Sequence, residues 1–146
     1  MKKLCSILIV SLLFVFMLAS AALASENSQS VARASDYLSL YTVSLNAMGD
    51  GEMEVDFYVL GKRMMDEIGV TKIRIEKKVS GVWKYDRTLY EEDYADMMIE
   101  DSRNHKSSVA FTGTPGVEYR ATITAYAADA DGSDAKTTTS LSESCY

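Results

Sequence analysis

The stretch TPGVEYRATITAYA, residues 114–127, decides the fold class. Within it Val117, Tyr119, Ala121, Ile123 and Ala125 alternate with Glu118, Arg120, Thr122 and Thr124. Side chains of an extended chain point alternately to opposite faces, so this period of two predicts a strand over 117–127 with one apolar and one polar face. Thr114, Pro115 and Gly116 ahead of it read as a turn, because the fixed φ of proline suits the first central position.

Toward the N-terminus, Met53, Val55, Phe57 and Val59 alternate with Glu52, Glu54, Asp56 and Tyr58, which predicts a second strand over 52–59. The strand before it spans about 37–45. Its apolar phase shifts between Leu38/Leu40 and Val43/Leu45, so a bulge is expected near Tyr41. Residues 46–51 are rich in turn formers. Residues 61–69 (GKRMMDEIG) break the alternation. Met64, Met65 and Ile68 fit one helical turn bounded by glycines, covering an end of the core. Strands follow over 70–78, with Ile73 and Ile75 inward, and over 82–89, joined by Ser80-Gly81. Residues 90–106 read as a long irregular connection, with Tyr94, Met97 and Met98 on one face of a short helix capped by Asp93. A short strand over 108–112 turns Val109 and Phe111 inward. After the 117–127 strand, Asp131-Gly132 turns the chain into a threonine-rich last strand over 135–142. Seven short strands with regular turn signals predict an all-β fold, a two-sheet antiparallel sandwich.

The first residues read differently. Lys2 and Lys3 precede an apolar stretch from Leu4 to Leu18, and Ala22-Leu23-Ala24 supplies the small-x-small pattern of a signal-peptidase site. Residues 1–24 are therefore expected to be a signal peptide. Residues 25–35, polar and aperiodic, read as a flexible leader, and 36–146 as one domain. The expected location is secreted, with no membrane attachment after cleavage.

Cleavage removes two lysines and no acid, so the formal net charge moves from −6 to −8. An acidic chain lacks the basic footprint that neutralises phosphates, which excludes nucleic acid as the expected partner, and an anionic membrane surface with it. The same cleavage removes Cys5 and leaves Cys145 without an intramolecular partner. Next to the C-terminus, Cys145 is expected to be exposed on a mobile tail and to form a disulfide-linked dimer when oxidised.

The run Pro115 to Ala125 resembles the sixth strand of fibronectin type III and related immunoglobulin-like domains. There a Pro-Gly turn leads to a tyrosine whose hydroxyl bonds back to the corner. The resemblance makes Tyr119 that corner tyrosine. It departs from the pattern in lacking a buried cysteine pair and in placing the single tryptophan, Trp83, in the fourth predicted strand. The whole chain is also similar to a family of small exported proteins of Gram-positive bacteria of unknown function, through RASDY at 33–37, RTLY at 87–90 and GTPGVEYRA at 113–121. That similarity implies a stand-alone sandwich and carries no activity.

No residue set points to catalysis. His105, the single histidine, lies in a polar stretch without an elbow motif near any serine. The acids between Glu91 and Asp101 read as a solvated charge run, although a carboxylate pair among them would suit glycoside hydrolysis. Asp129, Asp131 and Asp134 place oxygens at loop positions as a calcium site does. They lack a distal glutamate, and an Asp-Gly turn explains them without metal. No cofactor is expected. Trp83 and Tyr85 share one strand face, with Leu89 further along and Tyr90 beside it. Exposed, that face is an aromatic platform for a sugar or a partner protein; as core, it fills one end of the sandwich. The expected function is a secreted, non-catalytic binding module for a protein or glycan. The alternative is a small secreted glycan hydrolase using carboxylates of 90–106.

Overall fold

The computed structural model describes residues 35–146, and the signal peptide expected over 1–24 lies outside the described residues. So does the expected leader, apart from Ser35. Ser35 is buried, and its Oγ accepts the backbone N–H of Tyr37 (3.2 Å) and Leu38 (2.8 Å), so it anchors the entry to the first strand.

The described chain is all-β. The strands are β1 (Leu38–Gly49), β2 (Glu52–Val79), β3 (Val82–Tyr90), β4 (Met98–Thr112), β5 (Glu118–Asp129), β6 (Gly132–Thr139) and β7 (Glu143–Ser144). A single turn of 3₁₀ helix, Ala95–Met97, precedes β4. All pairings are antiparallel and form one curled seven-stranded sheet.

Strand β2 organises the sheet. Its first half lies between β1 and β4, and its second half between β5 and β3. Register shifts between Leu60 and Met65 and between Val70 and Lys72 mark where it bends. An extra residue on one strand increases local twist, and twist lets one strand serve two halves of a curled sheet. The inner face thereby folds over itself. Met53, Val55, Phe57 and Val59 from the first half join Ile73 and Ile75 from the second, with Val109, Phe111, Tyr119, Ala121, Ile123 and Ala125 from β4 and β5. Each large side chain so removed from water contributes about 1.5–3 kcal/mol before the entropy of ordering is counted.

Several sequence expectations change here. Seven strands are observed, but not the seven expected. The helical turn over 61–69 is absent: those residues continue β2, which fuses the two strands expected at 52–59 and 70–78. Met65 and Ile68 are both buried, three apart, because register shifts alter the alternation, and Met64 is exposed. The irregular connection over 90–106 shortens to 91–97, since β4 begins at Met98 and pairs with β2 along its length. The 3₁₀ turn has no side-chain cap, so Asp93 does not serve as one. The bulge of β1 falls between Leu38 and Leu40, just before Tyr41.

At the 114–117 turn, the Val117 N–H reaches the Thr114 carbonyl (3.1 Å) and Gly116 has φ +81°. Tyr119 is buried, its hydroxyl accepts the Thr114 N–H at 3.0 Å, and its ring meets Phe111 edge-on at 5.7 Å.

Cys145 is in the core, 1% exposed, which overturns the expected mobile tail. Backbone groups place it there: the Cys145 N–H donates to the Val117 carbonyl (3.0 Å) and its own carbonyl accepts from Gly116 (2.9 Å). Its neighbour Tyr146 is tied down as well, by the Gly51 N–H to its carbonyl (3.0 Å) and by its hydroxyl to the Ala47 carbonyl (3.2 Å). A buried thiol reacts only when the C-terminal segment opens. With Cys5 absent or replaced by serine, the native protein is therefore expected to stay monomeric on non-reducing electrophoresis after mild oxidation. Thiol labelling should be fast only in denaturant; fast labelling of the native protein would show that the segment is open.

Candidate functional site

The outer face of β3, β2 and β5 carries Trp83, Tyr85 and Tyr90, the aromatic residues that the sequence singles out. A bulge decides what lies on it. Ile75 pairs with Arg87, but the next residue, Glu76, pairs with Tyr85, so Asp86 is the extra residue of β3. Asp86 is held by Lys77 (2.8 Å) and Arg87 (2.7 Å). Burial works against its charge, but the two cations outweigh burial and hold its carboxyl below the usual range. The bulge reverses the alternation of β3. Leu89 points into the core opposite Ile73, and Trp83 and Tyr85 point outward. Leu89 therefore does not share their face, contrary to the sequence reading, and the Trp83 face is not core. Tyr85 is 57% exposed and Tyr90 45%, while Trp83 is half-buried. Tyr90 pairs with Lys72 on the same outer face.

Cations from the neighbouring strands lie against these rings. The Arg120 guanidinium is 4.6 Å and the Lys78 ammonium 5.4 Å from the Trp83 ring centre, and Arg74 is 5.5 Å from that of Tyr85. The negative ring face attracts such groups. Glu76 lies between the two arginines, accepting from Arg120 Nε at 2.8 Å and from Arg74 Nη2 at 3.3 Å. Lys78 pairs with Glu118 at 2.8 Å, and this bond holds the Glu118 carboxyl below its usual range. On these three strands the outer face thus sets Lys72, Arg74, Lys78 and Arg120 against Glu76 and Glu118, a positive excess on an acidic chain.

Sequence reading missed these partners. The alternation of Arg74, Glu76 and Lys78 with Ile73, Ile75 and Lys77 is present in β2. Which strand lies beside β3 is long-range information, and only the observed register sets Arg120 and Trp83 on either side of β2.

A second feature is acidic. Glu67, Glu91, Glu92, Met98, Ile99 and Glu100 line an open groove of about 500 Å³ where the chain leaves β3 and enters β4. Burial, then the charges of Glu67 and Glu92, push the Glu91 carboxyl above its usual range.

His105 lies on β4 rather than in a loop. Its Nε2–H donates to the Asp96 carbonyl (2.7 Å) and its ring lies 5.7 Å from that of Phe57, so it fastens the 3₁₀ turn to the sheet. The nearby Ser102 and Ser108 hydroxyls bond to the Asn104 carbonyl and to Glu54. At the 129–134 turn, Asp129 is engaged by Arg63 (2.6 Å) and by the Asp131 N–H (2.9 Å), and Asp134 by Lys136 (3.1 Å). Among the described residues no group of acids, histidines or cysteines is arranged to hold a metal ion, and no helix is long and apolar enough to cross a membrane.

Comparison of the sequence with protein-family models and with curated proteins finds no significant match.

Proposed function

We propose that the chain is an exported, non-catalytic binding module of the immunoglobulin-like sandwich type, and that its ligand lies on the outer face of β3. The observation that carries this reading is the outward pair Trp83 and Tyr85. The bulge at Asp86 presents both rings on a strand whose other face meets the core, and neighbouring strands hold cations against them. Large aromatic side chains left outside a core fix sugars or partner surfaces with little entropy to lose. Rigid strands rather than loops support them, which limits the ordering cost of binding.

Export and the sandwich fit the same reading: a secreted acidic domain with a locally basic, aromatic face attracts a ligand there and repels its own copies elsewhere. The test is a glycan array and a pull-down with the purified protein, alongside Trp83→Ala and Tyr85→Ala. Binding is expected to weaken about tenfold or more in Trp83→Ala, the effect of one anchoring aromatic. Undiminished binding by both variants would place the ligand elsewhere.

A second reading, a glycan hydrolase, is favoured by the acidic groove, where Glu91 is pushed toward the protonated state a general acid needs. Reducing ends released from the bound glycan, and lost in Glu91→Gln, would establish it over the non-catalytic reading.

A further inference from the structure

We infer that the outer face of β3 takes a carboxylated glycan chain, with sugar rings against Trp83 and Tyr85 and carboxylates on Arg74 and Arg120. The inference rests on the platform reading above and adds the ligand's charge. Glu76 is one carboxylate shared by two guanidinium groups, bonded to one nitrogen of each. Each guanidinium has five N–H donors in a planar fork suited to carboxylates. Most of these donors have no carboxylate among the described residues, and the side chains are 53% and 33% exposed. One charge of the Arg74–Glu76–Arg120 set is therefore unbalanced at the surface, on a chain whose net charge is −6. An incoming carboxylate complements that charge and those donors.

The rings select the rest of the ligand. Arg120 lies over the Trp83 ring and Arg74 over that of Tyr85, so a carboxylate on either guanidinium brings its own carbon skeleton against the part of the adjoining ring that the cation leaves open. A uronic acid carries both a stackable ring and a carboxylate in each residue. An acidic peptide carries the charge without the ring. A protein partner needs a contiguous apolar centre, and here cations interrupt the aromatic surface.

The test is titration calorimetry of the purified protein with oligogalacturonate, its methyl ester and poly-L-glutamate at low and at physiological salt. Oligogalacturonate is expected to bind about tenfold more tightly than the ester, the effect of one charge-assisted contact, and to weaken with salt. Poly-L-glutamate should bind no more tightly than the ester. Arg74→Gln should bring the acid down to the affinity of the ester, and Trp83→Ala should weaken both. Equal binding of acid and ester, both lost in Trp83→Ala, would overturn the inference and leave the platform intact. Poly-L-glutamate binding as tightly as oligogalacturonate would overturn the glycan assignment. Binding of oligogalacturonate unaffected by Trp83→Ala would overturn both inference and platform. The acid–ester comparison uses the unaltered chain, so it holds even if a variant fails to fold.

Discussion

Gly69→Ala is expected to destabilise the protein by about 2–6 kcal/mol, combining about 1–3 kcal/mol of backbone strain with about 1–3 kcal/mol of overpacking. Gly69 is buried in the middle of β2 with φ +155°, a conformation that favours glycine. A Cβ there would collide with the carbonyl oxygen of Met97 and lie 2.9 Å from the Cα of Met98. Both obstacles are backbone and cannot rotate away. The close approach has a structural purpose: it lets the start of β4 pair with β2 on one side while β5 pairs on the other, at Gly69↔Met98 and Gly69↔Tyr126. Urea denaturation of the variant measures the effect. A loss below about 1 kcal/mol, the typical cost of a point substitution anywhere in a chain, would mean that β4 does not begin against Gly69.

The second large effect is at Met97, and Met97→Ala is expected to cost about 2–5 kcal/mol. Met97 is 0% exposed and joins the core from the 3₁₀ turn, in a segment whose other residues are mostly acidic and exposed. Truncation leaves a cavity against β2 and β4, which the sheet closes only in part because β2 is paired there with β4 on one side and β5 on the other. Asp96→Ala, one residue away and exposed, should stay within about 0.5 kcal/mol. The same denaturation curves distinguish the two. Equal, small losses would return this segment to a solvated charge run.

These two sites also show what was legible in the sequence. The strands around Val55 and Ile123 were legible because each buries one face, so polarity follows the pleat residue by residue. Met65 and Ile68 were not, because register shifts in β2 put both in the core at a spacing that looks helical. The first part of β4 has no apolar period to read. Between Glu100 and Ser108 it is polar, and its strand state comes from backbone pairing with a distant segment. Met97 was visible as an apolar residue among acids but not as core. Cys145 is drawn inward by main-chain bonds to Val117 and Gly116, which leave no mark in side-chain type.

The candidate site follows the same division. Trp83, Tyr85 and Tyr90 stood out by type, yet their direction depended on the single extra residue at Asp86, which shifts Leu89 to the opposite face. Their partners Arg74 and Arg120 come from strands that only the register places beside them.

Trp83 is the single tryptophan of the chain, so its fluorescence reports on this face alone. The most direct test of the platform is acrylamide quenching of Trp83 in the folded protein, repeated with a saturating amount of the glycan that the array retains. Quenching between that of a core tryptophan and that of the unfolded chain is expected, falling when the glycan is bound. Quenching as weak as in a closed core, or unchanged by the bound glycan, would contradict an outward binding face at Trp83.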